Sequence, residues 1–267
     1  MPMSSSSPPA TGEPHDVVRT TNGPRALGRI ARALWPISSY FVTNLTVTLF
    51  WFYFFVLNRT TVVGRHHVGH HPNTLLLSNH QSMIDSFLVG LAAYYPASWL
   101  KPRLMPWNPA AEENFFKGRW LSWLAWNWKC IPVRAGRRDV AALRRMADAL
   151  PGSTMVLFPE GTRTRDGSVG NGRPGAGVVA LAARARLIPV AIDGMRQALP
   201  IGQVLPRIGR RIYVSYGPPV DCSDLPAQDP PDKAAAQEVV DRVMRAIRAQ
   251  HAALRALDPL SWIGGSR

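Results

Sequence analysis

Between Arg32 and Arg59 the chain runs for 26 residues without a charge: ALWPISSYFVTNLTVTLFWFYFFVLN. No other stretch restricts the fold as hard. A bilayer core takes about 20 apolar residues of helix, so the run is long enough to cross one. A buried core helix uses the same residues, and so do two shorter helices dipping into one leaflet. Pro36, Asn44 and the interspersed Ser and Thr residues weigh against a straight single span. Arg25, Arg29 and Arg32 on one flank and Arg59 and Arg65 on the other give no orientation bias. The sequence predicts a membrane-associated helical segment over 25–59, with its topology open.

The residues on either side have different characters. Residues 1–24 are rich in Ser, Pro and Gly and read as a disordered leader. They show no apolar core followed by a small-residue cleavage site, so a secretory signal is not expected. From residue 60 the pattern is that of a folded domain, expected to extend to 257 and to leave 258–267 as a tail. Short apolar runs fit strands at TLLLSN (74–79), WKCIPV (128–133), TMVLFP (154–159), LIPVAI (187–192) and RRIYVSYG (210–217). Helical spacing falls between them at 85–95, 112–127, 137–150, 175–185 and 232–257. Strands alternating with helices predict an α/β fold, a mixed sheet flanked by helices, preceded by the hydrophobic N-terminal segment.

Charge limits the partners. Lys and Arg number 31 against 17 Asp and Glu, a net charge of +14, which draws nucleic acid, anionic lipid or phosphorylated small molecules. No helix-turn-helix, RNA-binding or zinc-finger signature supports nucleic acid, so anionic membrane lipids and phosphate ligands are the expected partners. Two cysteines, Cys130 and Cys222, do not make a disulfide framework and point to a reducing, cytosol-facing setting.

Three stretches carry chemistry. In NHQSMID (79–85), His80 sits just past a buried strand and Asp85 follows five residues later. If the strand ends near Asn79, both side chains converge at the strand-to-helix junction. The aspartate then accepts from one imidazole nitrogen and leaves the other free as a base. Alone, the spacing is a common coincidence, and a decorated turn fits it as well. In FPEGTRTRDG (158–167), Gly161 permits unusual backbone, Arg163 and Arg165 offer bidentate donors to a phosphate, and Glu160 is placed to orient an arginine or bind a hydroxyl. A polar strand-exit loop is the plain alternative. KCIPVRAGRRD (129–139) leaves Arg134 at a strand end with Arg137 and Arg138 nearby: a solvated basic loop or a second phosphate contact.

Taken in order, NHQSMID, KCIPVR, FPEGTR and LIPVAI resemble the four blocks of the glycerophospholipid acyltransferases, which include the 1-acylglycerol-3-phosphate acyltransferases. The resemblance covers about residues 60–220. It implies that His80 is the general base on an acceptor hydroxyl, that Asp85 orients it, and that Arg134, Glu160, Gly161, Thr162 and Arg163 contact the phosphate-bearing acceptor. The implied partners are a lysophospholipid acceptor and an acyl donor. Acyl-CoA or acyl carrier protein serves as co-substrate; no cofactor or metal is implied. The product expected from 1-acylglycerol 3-phosphate is phosphatidic acid. The implied location is a membrane, with the catalytic domain on its cytoplasmic face. LMPWNPAAEENFF (104–116), the following KCIPV and DGMRQALP (193–200) are similar to the tafazzin branch, whose members move acyl chains between phospholipids. A CoA-independent transacylase is therefore the alternative.

Other candidates are weaker. RHHVGHH (65–71) brings four histidines together without a neighbouring carboxylate or cysteine, so solvated loop histidines are preferred to a zinc site. Cys130 falls in an apolar strand and is expected to pack. Ser82 lacks the G-x-S-x-G turn of a hydrolase and is expected to cap the helix carrying Asp85. Phe115, Phe116, Trp120, Trp123, Trp126 and Trp128 suit an acyl-chain path, a lipid interface or core packing alike.

Overall fold

A computed structural model of the chain describes residues 28–134, 139–226 and 231–257. The expected leader over 1–24 and tail over 258–267 lie outside the described residues, as do Arg137 and Arg138.

The uncharged run forms a single helical rod. Helix α1 spans Gly28–Trp51 and continues as a π-helix over Phe52–Leu57. Ala33–Leu57 is long and apolar enough to cross a membrane, with a mean hydropathy of 1.6. Its polar residues form a stripe at helical spacing and dock the rod onto the domain. Ser39 and Thr43 donate to the Asn127 carbonyl at 2.8 and 2.6 Å, and Ser38 donates to Asn127 Oδ1 at 2.8 Å. The Trp35 indole donates to Trp126 O at 3.2 Å, the Trp128 indole to Thr46 Oγ1 at 3.0 Å, and the Tyr40 hydroxyl to Trp99 O at 2.9 Å. Each such bond contributes about 1 kcal/mol. The opposite face, with Leu34, Ile37, Phe41, Leu45, Leu49 and Phe52, is exposed.

The remaining elements are β1 (Arg59–Val63), β2 (Thr74–Ser78), α2 (Asp85–Tyr94), β3 (Asn108–Ala111), α3 (Glu112–Phe115), α4 (Arg119–Asn127), β4 (Cys130–Val133), α5 (Val140–Ala149), β5 (Thr154–Leu157), α6 (Gly175–Ala182), β6 (Arg186–Asp193), α7 (Met195–Ala198), β7 (Arg211–Tyr216) and α8 (Lys233–Leu257). Five strands form a mixed sheet ordered β1-β7-β6-β2-β5, in which only the β6–β7 pair is antiparallel. Strands β3 and β4 make a separate parallel pair, tied to the main sheet by a bridge from Trp107 to Met155. The expected mixed sheet flanked by helices is therefore present.

Two cores cover the sheet, and the period-2 alternation of its strands assigns residues to each. Leu75, Leu77 and Met155 face α5, α6 and α8, whereas Leu76, Val156 and Ile188 face α2 and the end of the α1 rod. Central strands buried on both faces read as continuous apolar runs, which is why TLLLS and TMVL were legible.

Some expectations needed correction. The helix expected over 112–127 is two helices, because Gly118 at φ 76° breaks it between Phe115 and Arg119. Strands β1 and β3 were not anticipated. RTTVV lies at a sheet edge with alternating exposure, and NPAA carries a proline and little β propensity. The aromatics of α3 and α4 divide: Trp126 is buried, Phe115, Phe116 and Trp128 pack around Ala110, Ala125 and Cys130, and Trp120 is exposed.

Candidate active site

Strand β2 is buried throughout and ends at Ser78. Asn79 then replaces the ladder with its side chain, donating from Nδ2 to Ile192 O at 2.9 Å and accepting from Ile192 N–H at 2.8 Å. This clasp fixes the chain just before it turns, so His80 emerges at the carboxyl end of a parallel strand. Open α/β sheets place their ligands there.

Asp85, the first residue of α2, is fully buried. Its Oδ2 accepts the Gln81 amide at 2.6 Å, the Ser82 amide at 2.7 Å and His80 Nδ1 at 2.9 Å. An ionised carboxylate only accepts, so Nδ1 carries the proton and Nε2 presents a lone pair. The His80 ring stacks on Phe158 with centroids 4.0 Å apart and planes 13° from parallel. Its side chain keeps 19% exposure. Ser82 does not cap α2 as expected: its hydroxyl is buried without a partner, and the N-cap position, Ile84, makes no side-chain bond. Asp85 reaches back from the first helical turn to accept the Gln81 and Ser82 amides, a position also favoured by the helix dipole.

The loop after β5 closes over His80 from the other side. Glu160 Oε1 accepts the His80 amide at 3.3 Å, and the Thr164 amide donates to His80 O at 2.9 Å. Glu160 is 4% exposed, and burial pushes its pKa up to about 7 against the opposing bonds from the His80 and Gly170 amides, with the Asp85 charge adding to the rise. A Cβ on Gly170 would stand 2.9 Å from Glu160 Oε2, so any larger residue there would displace that carboxylate. Gly161 has φ +69°, and the Arg173 side chain lies across it. Thr162 and Arg165 are exposed, and Arg163 is half-buried.

The residues expected to hold an acceptor thus fall into two groups. Glu160, Gly161, Thr162 and Arg163 share one loop, joined to His80 by hydrogen bonds at its two ends. Arg134 lies past the end of β4 in the smaller sheet, 68% exposed, with Nε 3.4 Å from Glu112 Oε2.

A second histidine–aspartate pair stands behind the first. Asp193, which ends β6, has Oδ2 3.0 Å from His251 Nε2 and 3.0 Å from Arg255 Nε, both on α8. Gln81 links the two pairs. Its amide reaches Asp85, its Nε2 donates to Asp193 Oδ1 at 3.1 Å, and its Oε1 accepts the Met195 amide at 3.1 Å. Burial pushes the Asp193 carboxyl up, but bonds and charge from His251, Gln81 and Arg255 outweigh it and hold its pKa below the ordinary value. Gln81, Phe158, Thr164, Asp193 and His251 were not anticipated as part of the site. No local pattern relates positions 81, 193 and 251; the available hint was a carboxylate closing an otherwise apolar strand.

Among the described residues no cluster of His, Cys, Asp and Glu is arranged to hold a metal ion. Cys130 is buried in β4, and that burial raises its thiol to about 12, so it stays protonated at neutral pH.

The acyltransferase family profile matches residues 59–193, half of the chain, including both the His80 turn and the Glu160 loop. The chain belongs to the acyltransferase family. It is 26% identical over 130 residues to a chloroplastic 1-acyl-sn-glycerol-3-phosphate acyltransferase of Arabidopsis thaliana, covering 47% of this chain and 33% of that protein. A chloroplastic enzyme of the same name from Brassica napus is 25% identical over 130 residues, covering 47% and 34%. The chain therefore spans about a third of the length of the curated relatives it matches. The crystal structure of the 1-acyl-sn-glycerophosphate acyltransferase of Thermotoga maritima shares the fold, with a TM-score of 0.61 at 21% identity, covering 82% of this chain and 78% of that one. The resemblance to glycerophospholipid acyltransferases is borne out.

Proposed function

We propose that this acyltransferase moves a fatty acyl group from a thioester donor, acyl-CoA or acyl carrier protein, to the free hydroxyl of 1-acylglycerol 3-phosphate, giving phosphatidic acid. The observation that carries this reading is the His80 imidazole, held through Nδ1 by buried Asp85 and open at Nε2, within a chain of this family. The names of the plant relatives supply the acceptor.

His80 Nε2 takes the hydroxyl proton as the acceptor oxygen attacks the thioester carbonyl carbon. The C–S bond breaks, and the imidazolium returns its proton to the leaving thiolate. Asp85 stabilises the imidazolium between those events. A base so placed contributes about 100- to 10,000-fold. Arg163, with Thr162 and the Gly161 turn, is assigned to the acceptor phosphate, and Arg134 to a more distant contact. Glu160 supports His80 from behind through its amide. The test is turnover of labelled acyl-CoA with 1-acylglycerol 3-phosphate by the purified enzyme, followed by mass spectrometry; absence of phosphatidic acid sinks the reading.

The tafazzin-like stretches LMPWNPAAEENFF and DGMRQALP favour a second reading, transfer from an intact phospholipid to a lysophospholipid without CoA. Supplying labelled phospholipid in place of acyl-CoA separates the two.

We further propose that the α1 rod lies along one leaflet with the catalytic domain on the cytoplasmic face. A helix crossing a bilayer meets lipid on every side it does not share with another apolar span. Here one side is bonded from Trp35 to Thr46 to a domain full of polar groups, and only the Leu34–Phe52 stripe faces out.

A further inference from the structure

Exposed apolar side chains are not scattered over this molecule. Of the twenty large ones among the described residues, nine lie on the α1 rod, and six more lie on two segments hydrogen-bonded to it. One of those segments is Trp99 and Leu100, held by Tyr40. The other is the loop from Leu199 to Arg210 that joins α7 to β7, where Val204 is 86%, Leu205 83% and Ile208 63% exposed.

This loop is fastened to the end of the rod. The Tyr53 hydroxyl donates to Arg207 O at 2.9 Å, the Gly209 amide to Leu57 O at 2.8 Å, and the Arg210 amide to Asn58 Oδ1 at 2.8 Å. The Arg207 amide closes the loop on Ala198 O at 2.7 Å. The backbone is thus held on both sides of a tip that presents its apolar residues to solvent. At the end of the rod to which the loop is tied, Phe52, Val56 and Leu57 are exposed as well. The charge is one-sided as well: residues 194–220 contain Arg196, Arg207, Arg210 and Arg211 and no Asp or Glu. Apolar tips beside Arg207 and Arg210 complement an anionic leaflet, where acyl chains lie below phosphates.

We propose that the 199–210 loop is a second lipid-inserting element. It seats Val204, Leu205 and Ile208 among the acyl chains of an anionic leaflet, with Arg207 and Arg210 at the headgroup phosphates. This rests on the membrane reading of the α1 rod and deepens it. Only the short helix α7 separates the loop from the active site, and the amide of Met195 at its start bonds Gln81, the neighbour of His80. Seating the loop therefore brings the leaflet, and an acceptor lying in it, towards the catalytic turn.

The experiment is co-sedimentation of the full chain with vesicles of phosphatidylcholine alone and of equal parts phosphatidylcholine and phosphatidylglycerol. A V204D/L205D variant is expected to partition about a hundredfold more weakly into both. An R207Q/R210Q variant is expected to lose about twentyfold on the anionic vesicles only. All four positions are exposed, and unchanged melting temperatures establish that the variants fold. An F41D/L45D variant on the rod reports the membrane reading separately. If F41D/L45D is released while V204D/L205D partitions like the parent, the loop proposal is overturned and the rod reading stands. If the parent chain binds neither vesicle, both fall. If V204D/L205D instead dissociates an oligomer and binds vesicles normally, the loop is a protein interface and the proposal is wrong.

Discussion

Among the described residues two histidine–aspartate pairs lie at nearly equal separations and with different chemistry available to them. His80 Nδ1 is 2.9 Å from Asp85, and His251 Nε2 is 3.0 Å from Asp193. Asp85 is met otherwise by two backbone amides, so His80 is the one side chain on it and its outer nitrogen stays open beside Phe158. Asp193 already has its charge balanced by Arg255, and it also takes Gln81 and the Gly194 amide. His251 has 7% side-chain exposure and sits on a long helix packed against the sheet. Distance alone therefore does not make a base. What separates the pairs is the exposure of the imidazole, 19% of the His80 side chain against 7% of His251, and a carboxylate with no competing cation. Gln81 joins them, so the inner pair holds the turn on which the outer pair stands.

Breaking the outer pair has the largest expected effect. His80→Ala should lower turnover by about 100- to 10,000-fold with the melting temperature nearly unchanged, as read by acyl-transfer rate and circular dichroism. Asp193→Ala should act on stability instead, costing about 2–3 kcal/mol in a denaturant titration because His251 and Arg255 lose a shared buried partner. Turnover per folded molecule should fall much less than for His80→Ala; an equal fall would mean that the inner pair is catalytic too. Gln81→Ala should lie between the two, with kcat reduced about tenfold at an unchanged KM, since it loosens the base without touching the acceptor. A KM change of similar size would instead place Gln81 on the substrate.

The smallest effect is a pH slope. Glu160 has its pKa raised by burial to about 7, from an ordinary value of 4.5. The folded state therefore holds this proton more tightly than the unfolded chain. Stability from this group is complete below about 4.5 and is lost as pH rises through about 7. Glu160→Gln should flatten that part of the melting-temperature profile and leave the His251–Asp193 pair unaffected; an unchanged profile would assign the slope to another group.

Much of this was legible in the linear chain. The central strands are buried on both faces, so their sequences are continuous apolar runs that admit few other readings. The five-residue interval from His80 to Asp85 is short enough for one turn to bring the side chains together. The α1 rod was legible as apolar but ambiguous in topology, because Ser38, Ser39, Thr43 and Thr46 look like interruptions until Asn127 is seen to accept from the first three and the Trp128 indole to donate to the last. β1 and β3 were missed because an edge strand and a proline-bearing strand carry little apolar signal. The role of Ser82 was misjudged because the helix begins only at Asp85, which leaves Ile84 and not Ser82 at the N-cap position.

By itself the sequence determined the α/β class, an uncharged helical segment, the acyltransferase-like blocks and His80 and Asp85 as a candidate pair at a strand end. Each of these depends on composition or on contacts between residues close along the chain. Only the tertiary structure decided that Glu160 braces His80, that Asp193 and His251 stand behind Gln81, and that the 199–210 loop is tied to the end of the α1 rod. Those contacts join positions from about 60 to more than 150 residues apart, and sheet order, which no local pattern encodes, is what brings them together.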